Sequence, residues 1–141
     1  MEKNIYERNY ESLLPYIKDM IGTRKDYKRF TAGECFMPLV IEKLQTKESG
    51  VYIISITHYY PLNGDLMKDP DMELEVNINE KTVEALSYQQ DNVGLYQTVY
   101  FEKDGQIYVR PQLKKSLNEF LEMWLNNIKN QGYTLEEKVN N

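Results

Sequence analysis

Apolar side chains recur with a helical period at both ends of the chain and with the shorter period of strands between them. Residues 3–21 place apolar side chains at three- and four-residue steps, which predicts an amphipathic helix kinked at Pro15. Residues 111–131 carry a broader apolar stripe, and Pro111 and Gly132 suit the start and the end of a second helix. Both ends of the domain are therefore predicted to be helical.

The middle of the chain has the pattern of strands. Residues 38–47 and 51–60 are predicted to pair as two strands, and the second is apolar on nearly every residue, which indicates a central strand covered on both sides. Residues 72–78 alternate strictly between apolar and polar side chains, which predicts a half-exposed strand with an acidic outer face. Further strands are predicted over residues 82–88, 95–102 and 106–110, with a short one at 27–31.

Turn signals separate these strands and set the predicted topology. Asn63-Gly64 and Asp69-Pro70 are both strong turn dipeptides, so residues 61–71 are predicted to form a loop. Short turns between successive strands favour an antiparallel meander. We therefore predict an α+β fold, an antiparallel meander sheet of about five strands flanked by N- and C-terminal helices. Residues 1–133 are expected to form a single domain, and residues 134–141 a frayed C-terminal tail.

Length and composition limit the class of protein. A chain of 141 residues buries enough surface to fold without disulfides or metals. Its one cysteine, Cys35, excludes an intramolecular disulfide and is expected to be a small buried apolar residue. The sequence has no apolar run of about 18 residues and no signal-peptide pattern at its start, which favours a cytoplasmic protein that does not contact membranes.

The net charge of −5 is concentrated in one segment. Residues 62–93 hold eight acidic and two basic residues, so the rest of the chain is close to neutral. The calculated pI of about 5.0 argues against direct binding of nucleic acid, which favours a strongly basic surface. An acidic surface instead suits a basic partner protein, because complementary charge steers association.

His58 is the only histidine, and it ends the predicted central strand. Either its ring anchors a neighbouring loop, or it belongs to a site with the acids that follow it. Asp65, Asp69 and Asp71 could join it as oxygen-rich ligands of magnesium, manganese or calcium, although their spacing does not match an EF-hand loop. The sequence contains no phosphate-binding glycine loop, dinucleotide fingerprint or nucleophile elbow, so no enzyme class and no cofactor is indicated.

One segment carries a resemblance to a known family. The string His58-Tyr59-Tyr60, followed by Asn63-Gly64-Asp65-Leu66-Met67 and by Asp69-Pro70-Asp71-Met72, resembles the signature of a bacterial domain family of unknown function. Members of that family are common on plasmids, phages and conjugative elements. The likeness covers roughly residues 34–133, with Pro61-Leu62 as a departure from the usual polar residues, and a more distant likeness is to small YqiB-like proteins.

The resemblance implies an accessory role on a mobile element and leads to our first hypothesis. Small acidic proteins of such elements are often antirestriction or anti-CRISPR proteins. We therefore expect a non-enzymatic anti-defence protein, an anti-CRISPR protein that binds a host defence nuclease of the Cas effector class. The expected contact residues are the charged side chains of the central segment: Asp65, Lys68, Asp69, Asp71, Glu73 and Glu75.

Two alternatives remain open from the sequence. The first is a small ligand- or metal-binding module or a hydrolase centred on His58 and the motif loop, which we define by His58, Tyr59, Tyr60, Asn63, Gly64, Asp65, Asp69 and Pro70. The second is a regulatory adaptor of a mobile element, with a partner encoded beside it.

Overall fold

The computed structural model describes residues 2–136 and has an α+β fold, in which two helices pack against a large antiparallel sheet. This confirms the predicted fold class. Over residues 2–136 the sheet contains eight strands, more than the five that we predicted. Short strands at both of its edges account for the larger number.

The helices begin and end close to the predicted positions. α1 spans Ile5–Ile17 and continues as a short 3-10 turn, and α2 spans Pro111–Gln131. Asn4 caps α1, since its side chain accepts a hydrogen bond from the Glu7 backbone N–H at 2.9 Å. Pro15 lies inside α1, and Gly132 ends α2 with a left-handed backbone (φ 76°).

The strands form a nearly sequential antiparallel sheet in the order β10-β1-β2-β3-β4-β6-β7, with β5 also paired to β4. β8 and β9 form a separate hairpin. The long strand β3 pairs with β2 on one side and with β4 on the other, which confirms its central position. The strands are β1 Tyr27–Thr31, β2 Leu39–Glu48, β3 Val51–Leu62, β4 Asp65–Asn77, β5 Thr82–Ala85, β6 Ser87–Gln90, β7 Leu95–Thr98, β8 Tyr100–Lys103, β9 Gln106–Val109 and β10 Thr134–Leu135.

The predicted loop over residues 61–71 is wrong, because almost all of it is strand. β3 continues to Leu62 and β4 begins at Asp65, so only Asn63 and Gly64 lie between them. Both have positive φ angles, 51° and 86°, which suits the tight turn of a two-residue hairpin. The motif segment is therefore the end of a long β-hairpin, which we call the β3–β4 arm.

The second predicted turn, Asp69-Pro70, is a bulge in that arm. Thr57 pairs with Asp71 and Tyr59 pairs with Lys68, so Asp69 and Pro70 together lie opposite a single residue, His58. Proline donates no hydrogen bond, and a bulge is one of the few positions within a sheet that accepts it.

The expected frayed tail also differs from the structure. Thr134 and Leu135 form β10, which pairs with β1 at the edge of the sheet. The Glu136 backbone N–H extends this pairing by donating to the Arg29 carbonyl at 2.8 Å. The remaining part of the predicted tail, residues 137–141, lies outside the described residues.

Both helices cover the same face of the sheet, which we call the inner face. Their buried side chains share one core with the inner-face residues of β3, β4 and β5. Asn118 ties α2 to this sheet, because its buried side chain accepts a hydrogen bond from the Ala85 backbone N–H at 2.9 Å. On the opposite, outer face β4 carries acidic side chains, while β3 carries Ser55 and Thr57 beside the apolar Val51 and Ile53. Because both helices lie on the inner face, the prediction that helices or other elements cover β3 on both sides is met on the inner face only. No helix within residues 2–136 is long and apolar enough to span a bilayer.

Candidate functional site

The six predicted contact residues do not share one environment. Asp65 is exposed next to the turn of the β3–β4 arm, and Asp69 lies at the bulge beside His58. Asp71, Glu73 and Glu75 alternate along β4 on the outer face, as the sequence pattern predicted. Lys68 pairs with Tyr59 farther along the arm.

Strand pairing adds two acids to the outer face. Glu42 on β2 and Glu73 on β4 both pair with Ser55 of β3, so they stand in one row across three strands. Glu84 on β5 pairs directly with Glu75. Paired residues direct their side chains to the same face of a sheet. We call the resulting surface the acidic band: Glu42, Asp71, Glu73, Glu75 and Glu84.

Three carboxylates of the acidic band have partners within the protein. Asp71 accepts a hydrogen bond from the Thr57 hydroxyl at 2.6 Å and lies 3.6 Å from the Lys68 ammonium. The other two pairs are Glu75 with Lys47, at 2.6 Å, and Glu84 with Lys114, at 2.9 Å. In both pairs the carboxylate raises the pKa of the lysine above its ordinary value, so the lysines stay charged.

Glu42 and Glu73 differ from these three. Both side chains are half-buried, and within residues 2–136 neither carboxylate makes a hydrogen bond or an ion pair. The two side chains therefore stand about 10 Å apart, two strand spacings, and in the described chain neither carboxylate has a cation within ion-pair distance. Beside Glu42 a groove of about 390 Å³ runs along the outer face of the arm, and it is lined by Tyr27, Arg29, Pro38, Val40, Tyr59, Pro61 and Leu66.

His58 lies at the other face of the arm, in a cavity of about 340 Å³ that we call the His58 cavity. The cavity is open to solvent and is bordered by the bulge of β4, the second half of α2, the segment before β2 and the residue before β10. Five of its twelve lining residues are aromatic, and the only cysteine is also among them: Cys35, Phe36, Met37, His58, Asp69, Pro70, Phe120, Met123, Trp124, Asn127, Gln131 and Tyr133.

The His58 ring is packed and largely desolvated. Its centroid lies 5.2 Å from the Trp124 ring and 5.6 Å from the Tyr133 ring, and Nδ1 lies 3.3 Å from the Pro38 carbonyl oxygen. Burial lowers the pKa of His58 below its ordinary value, although the Pro38 carbonyl and the Asp69 charge act in the opposite direction. The imidazole is therefore neutral at pH 7, with Nδ1–H donating to Pro38.

Two other polar groups of the His58 cavity have no partner within residues 2–136. Asp69 makes no hydrogen bond and no ion pair there. The indole N–H of Trp124, a residue that is only 5% exposed, is buried without an acceptor. Cys35 is exposed at the cavity, contrary to the buried position that we expected.

The remaining motif residues form the arm itself. Tyr59 lines the outer groove, and burial raises its pKa above the ordinary value. Tyr60 pairs with Met67, and Asn63 and Gly64 form the turn. Within residues 2–136 no group of three or more histidine, cysteine or acidic side chains is placed to hold a metal ion. The structure thus does not bring Asp65, Asp69 and Asp71 together around His58.

Sequence reasoning missed most of the aromatic walls of the cavity. Trp124 falls within the apolar stripe predicted for residues 111–131, and no local pattern connects Phe36 or Tyr133 with His58. The one indication in the sequence was that three residue types occur only once: the chain has a single tryptophan, a single histidine and a single cysteine. All three line this cavity.

Comparison with known proteins identifies a family but no function. Residues 8–134 match the sequence model of a domain of unknown function, DUF6908. No curated protein and no solved structure matches the chain. Because the match covers most of the sequence, the chain belongs to the DUF6908 family of domains of unknown function.

Proposed function

We propose that the protein is a non-enzymatic binding protein that docks on a basic partner through the acidic band. The partner class that fits this surface is a protein that handles nucleic acid, because its phosphate-binding groove is lined by arginine and lysine. The resemblance to mobile-element proteins extends the proposal to an anti-defence role in the cytoplasm. The partner would then be a host defence nuclease, in particular a Cas effector.

The observation that carries this proposal is the unpaired state of Glu42 and Glu73. Glu42 and Glu73 stand two strands apart on the same face, and Glu73 lies two residues from both Asp71 and Glu75, so gathering these acids on one face has a small repulsive cost in the free protein. Arginine or lysine side chains of a partner would remove that cost and form charge-assisted hydrogen bonds with the two carboxylates. The sheet holds both groups in fixed positions, which reduces the entropy lost on binding.

The test is inhibition of cleavage by a panel of purified Cas nucleases and restriction enzymes. The wild-type protein is expected to inhibit at least one of them, with weaker inhibition at high salt. The double variant Glu42→Gln/Glu73→Gln should weaken the inhibition at least about tenfold. A matched control, Glu102→Gln/Glu119→Gln, removes the same charge from two exposed positions outside the acidic band and should inhibit like the wild type.

Two results would contradict the proposal. Undiminished cleavage by every enzyme of the panel, together with no complex in pull-down experiments, would exclude the anti-defence role. Equal weakening by the two double variants would show that net charge, and not the acidic band, determines binding.

A second candidate function is a binding site for a small ligand at His58. It is favoured by the His58 cavity, whose volume lies within the range of about 300–1,000 Å³ that is typical of ligand pockets. In contrast to the sequence hypothesis, this site includes Asp69 but not Asp65. Screening small molecules by the fluorescence of Trp124, the only tryptophan, tests this function independently of any partner protein.

A further inference from the structure

The walls of the His58 cavity form a continuous series of aromatic rings. The ring centroids are 6.4 Å apart between Phe36 and Tyr133, 5.6 Å between Tyr133 and His58, 5.2 Å between His58 and Trp124, and 6.0 Å between Trp124 and Phe120. The faces of such rings carry negative electrostatic potential. A cavity lined in this way attracts positive charge that is only weakly hydrated.

The charged groups of the cavity favour the same sign of ligand. Asp69 is the one carboxylate among the lining residues, and none of them is a lysine or an arginine. Within residues 2–136 no cation pairs with Asp69. The desolvated His58 ring adds no positive charge at neutral pH. The amides of Asn127 and Gln131 complete the polar part of the lining.

We propose that the His58 cavity binds an organic cation, an alkylammonium or guanidinium group, between its aromatic walls and the carboxylate of Asp69. The cation belongs either to a free small molecule or to a side chain of a partner protein, since the recognition chemistry is the same. This inference rests on the second candidate function, the ligand site at His58, and is independent of the acidic band. It names the ligand class of that site.

The chain supplies two unique reporters for the test. Trp124 is the only tryptophan and Cys35 the only cysteine, and both line the cavity. Occupancy is therefore measured by the intrinsic fluorescence of Trp124 and by protection of Cys35 from alkylation in the full-length protein. The two probes are choline and N-acetyl-arginine methylamide. Their uncharged counterparts of similar shape are 3,3-dimethylbutan-1-ol and N-acetyl-citrulline methylamide.

At least one cation is expected to change Trp124 fluorescence saturably and to slow alkylation of Cys35. Its neutral counterpart should bind about tenfold more weakly, because it lacks the cation–π and carboxylate contacts. Preference for choline identifies a free small cation as the source, and preference for the arginine derivative identifies a protein side chain. Either preference supports the inference.

Variants locate the binding. Asp69→Asn should weaken binding of the cation about tenfold and leave the neutral probe unchanged, whereas Asp65→Asn, on the same strand but outside the cavity, should change neither. If Asp69→Asn lowers the melting temperature strongly, Phe36→Leu replaces it, since Phe36 is 41% exposed and its ring is not required by the core. That variant should also weaken cation binding.

The outcomes separate this inference from the ligand site on which it rests. Equal binding of charged and neutral probes would retain a ligand site at His58 and overturn the cation inference. No saturable response to any of the four probes would overturn the inference, while a hit from another chemical class in the screen would keep the second candidate function. Binding that is insensitive to Asp69→Asn and Phe36→Leu would place the cation elsewhere.

Discussion

The two faces of β4 are stabilised in different ways, although their residues alternate along one strand. Met72, Leu74 and Val76 are at most 1% exposed and lie in the core with both helices. Asp71, Glu73 and Glu75 occupy the alternate positions and lie on the outer face. Burial of apolar area stabilises the first face, and specific polar partners satisfy only part of the second.

This difference separates stability from the proposed binding. Inner-face residues contribute to folding, and their replacement should affect every property of the protein. Outer-face residues carry a cost that folding does not require, and their replacement should affect binding first. Substitutions on each face test how complete this separation is.

The largest loss of stability is expected for a substitution on the inner face. Leu74→Ala should reduce the free energy of unfolding by roughly 2–5 kcal/mol, because it removes buried methyl groups and leaves a cavity. Leu44→Ala on β2 is the matched control, since Leu44 is 49% exposed and should cost much less. Urea denaturation measures both. Equal losses for the two variants would contradict the assignment of the core.

A smaller loss of stability is expected for Thr57→Val, at a buried position of the outer face. Thr57→Val removes the hydroxyl that donates to Asp71 and leaves a carboxylate that is only 9% exposed without that donor. We expect a loss of about 1–3 kcal/mol. Thr46→Val, at an exposed position of β2, makes the same chemical change and should stay within about 0.5 kcal/mol of the wild type. If Thr57→Val were as stable as the wild type, Lys68 alone would be a sufficient partner for the Asp71 carboxylate.

The free energy of unfolding should depend on pH through His58. Burial lowers its pKa in the folded protein, so the unfolded chain binds this proton more tightly. The resulting contribution to stability is present above about pH 6.5, the pKa of an unperturbed histidine, and is lost as the pH falls below it. NMR titration of this single histidine should give a midpoint below about 6.5.

The matched variant His58→Gln removes this proton linkage. Its free energy of unfolding should therefore decrease less than that of the wild type between about pH 7 and pH 5. Carboxylates that do not contact His58 contribute to both curves, so the difference reports the proton linkage of His58 together with its interaction with the Asp69 charge. A midpoint above about 6.5 would show that the Pro38 carbonyl and the Asp69 charge together outweigh the effect of burial on the pKa of His58.

The smallest expected change in stability is a gain, in contrast to the losses expected for the other variants. Glu42→Gln/Glu73→Gln removes two negative charges from the acidic band and should stabilise the free protein by at most about 1 kcal/mol, while it weakens inhibition in the nuclease assay. Thermal unfolding of the variant and of the Glu102→Gln/Glu119→Gln control measures the change. A destabilised variant would show that the two carboxylates have a structural role in the sheet.

Strong local patterns made parts of the fold predictable. The apolar stripe between Pro111 and Gly132 located α2, and the alternation in residues 72–78 located the two faces of β4. The error over residues 61–71 has a physical origin, since Leu62 and Leu66 are exposed on the arm and no alternation of burial distinguishes it from a loop. Of its two turn dipeptides, only Asn63-Gly64 forms a turn.

The site was less predictable because it depends on pairing between distant segments. Asp71, Glu73 and Glu75 were found from β4 alone, but Glu42 joins them only through the register of β2 against β3. The His58 cavity combines Phe36 and Tyr133 with residues from α2 and β4, and no periodicity in the sequence records that contact.

The short strand β10 has a consequence for how the domain can be cut or fused. It pairs Thr134 with Thr31 and Leu135 with Phe30, and so covers the backbone of β1 that would otherwise form an open edge. Unpaired edge strands recruit strands from other chains. A truncation after residue 133, the boundary that the sequence favoured, would expose this edge of β1 and promote self-association. A truncation after Glu136 would preserve the pairing of β10 with β1.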